Sequence, residues 1–560
     1  MTWVQVYDPL GHWWLSSLAA AIPILVLLGL LAGVKARPHL CAIAGAASAI
    51  VCAILVFGMP ARLAVVSFAY GVCFGLLKIV WIVVAAVYLY DIAVDTGQFE
   101  IMKHSVAAIT QDRRLQLLLV AFCFGAFIEG AAGFGAPVAI AGAFMIGLGF
   151  EPFHAAALNL IANTAPVAWG AIGTPIHTLA VVSALPESDL NAMVGRILPI
   201  LSAIVPFWLV RAMVSWTETF EVLPAILVVG LSFAGTQFFW SNYMDSNLVD
   251  IVSGIVSILA TLIFLRMWQP QQVWRFPHER LAPGAVAIAA PPSPHYTGGQ
   301  IARAWLPFAV LSVFVLVWGL PSIKLEMGRA TTPAFARGGW ETPLLHRAVL
   351  RAPPVVPKPT PEPALFDFNW LTATGTGCFF AALLSGALLG VRPRRLAKIF
   401  AHTVYRMRLA IIAMACMLGL GYVTRYSGMD AVLGLAFTRT GWLYPFFGTY
   451  IGWLGVALTG SDTSSNALFG GLQRFTAQQL NLSPVLMCAT NSAGGVMGKM
   501  IDAQSITVAT AATNQVGNEG MIFRFVFWHS VALAAIVGVI VLLYAYVFPQ
   551  LVPHGLTFVR

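Results

Sequence analysis

The chain has 560 residues, of which 59% are hydrophobic and only 9% charged, with a mean hydropathy of +0.83 and a formal net charge of +9. Soluble domains carry about 25% charged residues, so this balance excludes an ordinary water-soluble core. The excess positive charge stands at the ends of apolar runs, which reads as orientation in a membrane rather than as a polyanion-binding surface.

In chain order, the first apolar run is Leu15–Val34. At about 20 residues it can cross a hydrocarbon layer of about 30 Å as a helix. The head before it has no basic leading region, so no cleavable signal peptide is expected. Lys35 and Arg37 follow the run and put the N-terminus outside by the positive-inside rule. Further runs are Ile197–Val214, Val249–Leu265, Ala304–Leu320 and Val526–Val547. The length criterion yields about 12 to 14 spans in all. Residues 266–303, with Arg266, Arg275, Arg280 and Arg303, read as a cytoplasmic loop whose part Leu281–Gln300 is rich in Pro, Ala and Gly. Residues 321–367 read as an external loop containing RAPPVVPKPTPEP (Arg351–Pro363), a polyproline-like linker rather than folded structure. Arg392, Arg394, Arg395 and Lys398 mark the loop Arg392–Arg408 as cytoplasmic. The seven cysteines stand singly in apolar segments, without metal-ligand or paired spacing, and read as small buried hydrophobes. Long unbroken apolar runs exclude a membrane β-barrel, which needs alternating segments of roughly 10 residues. The fold class expected is an all-α polytopic membrane protein, a single transporter domain over residues 1–560.

A repeat runs through this pattern. Residues 125–130 read GAFIEG and residues 455–460 read GVALTG. Behind each comes N-[ST]-A-x4-G: Asn163-Thr164-Ala165 with Gly170, then Asn491-Ser492-Ala493 with Gly498. The expected repeat cores are 115–215 and 442–548. Their interrupted segments, 125–149 and 455–471, carry EGAAGFGAP and TGSDTSSN at the centre. Helices form poorly through such centres. Irregular backbone at membrane depth survives only where protein or a wet cavity satisfies it. Both segments therefore read as re-entrant hairpins or broken helices around a central site, the plan of secondary transporters, in which an inverted relation of the halves is the more common.

A small carboxylate needs donors, positive potential and shelter from lipid, and the amino ends of broken helices supply the first two. Gly133 and Gly135 permit close backbone approach. Ser461, Thr463, Ser464, Ser465 and Asn466 offer hydroxyl and amide groups for a carboxylate and a 2-hydroxyl. Asn163, Thr164, Asn491 and Ser492 stand at equivalent places in the repeats and serve equally as substrate ligands or as caps of the breaks. Tight helix packing is the plainer reading of Gly130, Ala131 and Ala132. Ionisable residues at membrane depth cost about 2.5–3.5 kcal/mol, so each is a functional candidate. Glu129 and Asp462, one at each hairpin centre, are candidate proton carriers, with structural capping as the alternative. Lys499 either faces the substrate carboxylate or pairs with Asp502, and His177 is a candidate proton relay. Arg425 flanks a span end and reads as a rim residue. No ATP-binding G-x-x-x-x-G-K-[ST] loop, H-E-x-x-H motif or nucleophile elbow is present.

The strings YDPLGHWWLSSLAAAIPIL, VDTGQFEIMK, GAFIEGAAGFGAPVAI, LIANTAPVAWGAIGTPI, WLGVALTGSDTSSNALF, SAGGVMGKMIDAQSITVA and FRFVFWHS together resemble the L-lactate permease family over essentially the full length. The resemblance implies uptake of lactate and glycolate with protons across a bacterial cytoplasmic membrane. By analogy it also implies a scaffold, a mobile transport domain with paired re-entrant hairpins, and elevator-like alternating access. The chain departs from the family pattern at Thr174 with His177, at Asp502 where proline is usual, and at Asp91 and Asp95 where basic residues are usual. The partners expected are a small anion, protons and lipid, and a homo-oligomer is compatible with the sequence. No nucleic acid, cofactor or metal is expected. Transport of another small carboxylate, or coupling to sodium, stays open at this stage. An intramembrane enzyme using Asp462, Glu129 or His177 is the remote alternative.

Overall fold

A computed structural model describes residues 2–32, 37–107, 109–133, 136–276, 279, 296–319, 321–331, 339–356, 358–366, 368, 370–515 and 518–553. Lys35, Gly135, Arg280, Asp367 and most of Leu281–Gln300 lie outside the described residues. Among those described, seven helices are long and apolar enough to cross a membrane, or nine if each of two bent pairs counts as one span. The apolar runs counted as 12 to 14 in the sequence include these and five shorter apolar helices of 10 to 17 residues. The count differs because length in sequence does not reveal where a run is broken. Pro152–Ala162 and Val167–Ser183 meet at 64°, and Trp81–Asp95 and Gln98–Val106 at 84°.

Local chemistry sets the ends of many helices. Pro38, Pro152, Pro393 and Pro484 stand in the first helical turn, where a missing N–H costs nothing. Ser461, Ser483 and Asp502 accept from the backbone N–H three residues on, and Ser215 forms a capping box with Glu218. The helix Pro393–Ser427 has 35 residues, about 52 Å at 1.5 Å per residue, well beyond the hydrocarbon thickness. The segment Arg392–Arg408, read from the sequence as a loop, is thus mostly the basic first half of this helix. Its arginines meet two aspartates: Arg406 reaches Asp91 at 2.7 Å and Arg395 reaches Asp95 at 2.8 Å.

The long helix packs along Pro38–Leu55 and Ala61–Gly75. Elsewhere Glu187–Met213, Leu223–Tyr243 and Val249–Met267 pack in sequence, and Tyr444–Thr459, Pro484–Gly498 and Glu519–Tyr546 pack on one another. Close approach in the last group depends on small residues. A Cβ at Gly452 would strike the Asn491 carbonyl, one at Gly494 the Thr449 carbonyl, and one at Gly498 the Trp453 carbonyl.

The Pro-rich segment is folded, contrary to its reading as a linker. Val349–Arg351 pairs in parallel with Trp3–Val4 and antiparallel with Thr360–Pro361. Its prolines leave enough N–H groups for these short ladders: the Glu362 N–H donates to Val349 O at 2.8 Å and Trp3 N–H to Ala348 O at 2.8 Å. Two guanidiniums then hold Glu362, Arg351 at 2.7 Å and Arg425 at 2.6 Å. The expectation of seven buried cysteines also needs correction. Five are buried, Cys416 is partly so, and Cys73 is exposed.

Candidate functional site

Two helix-turn-helix segments meet at the site. In the second, Tyr444–Thr459 ends at Gly460, in the left-handed region at φ +73°, and Asp462–Gln479 starts at the Ser461 cap. The two helices run antiparallel, as the bonds Ser465 Oγ to Gly452 O (3.2 Å) and Gln473 Nε2 to Gly448 O (2.8 Å) require. This turn falls inside 455–471, but its helical arms extend well past both bounds. In the first, Gly125–Ala131 and Ala136–Gly147 flank a break at Gly133, φ +61°. Phe124 and Phe144 pack across it. The other broken stretch follows Asn163, where Ala171, Ile172 and Gly173 all take positive φ. Two non-glycine residues in that region store strain, which the dense packing around them holds in place.

These breaks enclose a cavity of about 50 Å³, room for a few water molecules. Glu129, Gly133, Gly170, Ala171 and Pro175 line it from one half of the chain. Gly460, Ser461, Asp462, Thr463 and Lys499 line it from the other. Glu129, Asp462 and Lys499 are 4%, 2% and 5% exposed, so the cavity is walled by buried ionisable groups. Lys499 Nζ donates to Gly460 O at 2.5 Å and lies 3.6 Å from Asp502. Asp502 meanwhile caps the next helix through Ser505 N–H at 2.7 Å. Glu129 packs so closely on Gly170 that any side chain there would collide with its carboxyl group.

Behind the cavity wall runs a buried hydrogen-bonded chain. Tyr444 Oη donates to Gln473 Oε1 at 2.8 Å, and Gln473 Nε2 to Asn491 Oδ1 at 3.3 Å. Asn491 Nδ2 donates to Asn466 Oδ1 at 2.9 Å, and Asn466 Nδ2 to Asp462 Oδ2 at 3.3 Å. Ser492 Oγ also donates to Asp462 Oδ2, at 2.5 Å, while Oδ1 has no hydrogen bond. Such chains fix side-chain orientation because each member's partner is already committed.

Of the residues singled out in the sequence, Gly133, Ser461, Thr463, Lys499, Glu129 and Asp462 line the cavity. Asn466, Asn491 and Ser492 stand behind it and orient Asp462; Ser465 bonds Gly452 O, and Ser464 is buried on the same helix. Thr164 Oγ1 bonds Ile161 O at 2.8 Å, a cap of the break. Asn163 is buried with neither amide atom in hydrogen-bonding geometry, and Glu129 Oε2 is in the same condition. His177 lies apart, held between Glu187 (2.9 Å) and Asn247 (2.9 Å), and does not line the cavity. Gly135 is outside the described residues.

The sequence reading passed over Asp250. It is fully buried at the second position of Val249–Met267, with neither carboxyl oxygen hydrogen-bonded. A Cβ at Gly130 would come within 2.9 Å of Asp250 Cβ, so this carboxyl group stands against the helix carrying Glu129. The signal was available, since an acidic residue at the edge of an apolar run is costly by the argument applied to Glu129.

The family model for L-lactate permease matches residues 16–548. The chain belongs to the L-lactate permease family. It is 46% identical over 561 residues to a protein of Escherichia coli (strain K12) named glycolate permease GlcA, covering 98% of this chain and 99% of that one. It is 44% identical over 559 residues to the L-lactate permease of the same organism, covering 98% and 100%. The L-lactate permease of Bacillus subtilis (strain 168) is 42% identical over 568 residues, covering 99% and 100%. Membership and helix content together make this a multi-pass helical membrane protein, and the family's name is that of a permease. In this chain the cavity wall comes from GAFIEGAAGFGAPVAI, LIANTAPVAWGAIGTPI and WLGVALTGSDTSSNALF, with Lys499 from SAGGVMGKMIDAQSITVA.

Proposed function

We propose that this chain imports lactate-type 2-hydroxy monocarboxylates, glycolate among them, across the bacterial cytoplasmic membrane with protons. The observation that carries this is the convergence of Lys499 and the amino end of Asp462–Gln479 on one small cavity that also holds two buried carboxyl groups. The helix terminus and the ammonium favour an anion there. Thr463 and Ser461 supply hydroxyl groups of the kind a 2-hydroxy acid bonds. Glu129 Oε2 and Asp462 Oδ1, buried without hydrogen bonds, are the positions at which a proton would be taken up. The names of the relatives support the substrate class, and no step of covalent chemistry is assigned to the site.

In this reading the cores 115–215 and 442–548 move as the transport unit, with their helix-turn-helix segments acting as re-entrant hairpins. The basic half of Pro393–Ser427 faces the cytoplasm, and the N-terminus and the folded segment 339–366 face the periplasm. The test is uptake of labelled L-lactate into proteoliposomes with an inward proton gradient, against no gradient and against a sodium gradient at fixed pH. Accumulation above equilibrium that a protonophore collapses supports the proposal. Sodium-driven accumulation overturns the coupling, and absence of lactate entry overturns the substrate.

A further inference from the structure

A second polar cavity, of about 40 Å³, lies where the folded Pro-rich segment meets the helices. Three guanidiniums line it, those of Arg351, Arg425 and Arg474, together with Asp430, Gln478 and Gln5. The carboxylate at this junction is already committed. Glu362 takes Arg351 at 2.7 and 3.0 Å and Arg425 at 2.6 and 2.9 Å. Arg474 has no such partner. One of its amino groups donates to Ser183 O at 2.6 Å, its Nε is buried without a hydrogen bond, and no ion pair forms among the described residues. Counting Glu362 and Asp430 as anions, the five groups still carry one positive charge in excess. A partly buried guanidinium without an acidic partner is unfavourable, and its planar fork matches a carboxylate.

Position adds the second half of the argument. Arg474 and Asp462 stand on one helix, twelve residues and therefore about 18 Å apart. Gly170–Ser183 runs parallel beside that helix, bonded at both levels: Asn466 Nδ2 to Pro175 O at 3.2 Å, and Arg474 to Ser183 O. The same two helices thus border the central cavity at their amino ends and the arginine cavity toward their carboxyl ends.

We propose that the arginine cavity is a second binding site for a small monocarboxylate, occupied on the way to or from the central cavity. Arg474 is its anchoring cation, and Arg351 and Arg425, held by Glu362, supply the surrounding positive potential. The identity of the carboxylate rests on the transport reading above; the existence of an anion site does not. Space of about 40 Å³ holds roughly three water molecules. That suits a carboxylate head group better than a whole nucleotide or sugar.

The experiment is equilibrium binding of radiolabelled L-lactate to the purified full-length protein, with uptake into proteoliposomes measured in parallel. Wild type is expected to bind two molecules per chain, Arg474→Gln one, and Arg474→Lys, which keeps the charge, two. Loss of one charge-assisted contact raises the KM of uptake by about tenfold or more in Arg474→Gln. Gln478→Glu guards against a merely misfolded variant. Its new carboxylate faces the excess positive charge, so it should preserve thermal stability while also removing one bound lactate. A stoichiometry of one in wild type, with binding and KM unchanged in Arg474→Gln and Gln478→Glu, overturns the proposal and leaves the transport reading standing. Binding that depends on Arg474 in a protein that moves no lactate retains the site and removes the transport reading.

Discussion

Lys499 and Asp502 offer a way to separate a structural pair from a working one. The two charges lie 3.6 Å apart with side chains 6% and 0% exposed. At an effective dielectric of about 20 their attraction is of order 5 kcal/mol, most of it spent against the desolvation of both ions. Lys499→Met therefore leaves Asp502 buried without its cation, and a loss of about 3–5 kcal/mol in folding stability is expected. Replacing both, Lys499→Met with Asp502→Asn, removes the orphaned charge. The amide carbonyl that this second change introduces can still accept from Ser505 N–H, so most of the loss should be recovered. Uptake should not recover, because Lys499 is the one cationic side chain lining the central cavity among the described residues. Stability would be read by denaturant titration in detergent micelles followed by tryptophan fluorescence, and transport by labelled lactate uptake at matched protein content. A double variant that transports at the wild-type rate would refute a role for Lys499 in balancing the substrate. A single variant as stable as wild type would refute the pairing energetics.

Asp462→Asn is expected to abolish proton-driven accumulation yet spare exchange of labelled substrate across the membrane; loss of both at normal expression would make Asp462 a binding or structural residue. Gly494→Ala drives a methyl group into the Thr449 carbonyl, and overpacking of this kind costs about 1–3 kcal/mol, so a lower melting temperature and lower yield are expected in fluorescence-detected gel filtration. Glu362, outside the spans, is pushed up by burial but held down more strongly by Arg425 and Arg351, so its carboxyl group titrates below the usual glutamate range. Because the folded value is the depressed one, its stabilisation is complete above the unfolded value of about 4.3 and is lost only as pH falls through the folded value. Protease cleavage within 339–366 should therefore stay unchanged from pH 8 to 5 and rise under more acidic conditions, whereas Glu362→Gln should raise it at neutral pH.

Much of the site was legible because its chemistry is confined to short strings. Glu129, Gly133, Ser461, Asp462, Thr463 and Lys499 all fall in segments where apolar runs are interrupted by Gly, Ser or acidic residues, and membrane burial makes each interruption costly enough to notice. Other parts were hidden for physical reasons. Asn491 and Asn466 are substrate-ligand candidates in the sequence, but which way a helical side chain faces depends on its neighbours, and in the fold Asn491 bonds Asn466, which bonds Asp462. His177 is a candidate relay in the sequence, and its partners Glu187 and Asn247 meet it only in the fold. Arg351 and Glu362 sat in a proline-rich stretch whose composition suggests an open linker. Pairing with Trp3–Val4, more than 340 positions away, folds it into a small sheet. Pairings this remote leave no local periodicity to read.

The strand Trp3–Val4 carries a further consequence for how the molecule is made. Its partner Val349–Arg351 leaves the ribosome 346 residues later, and the carbonyls of Arg425 and Tyr426 that receive the Gln5 amide come later still. At about 5–20 residues per second, the N-terminal segment waits on the order of tens of seconds after the first span is synthesised. Throughout that interval the edge of the future sheet lacks these partners, and it can close onto them only after they have been made. An extension fused ahead of Trp3 would burden that late closure directly, whereas the first spans have no need of it.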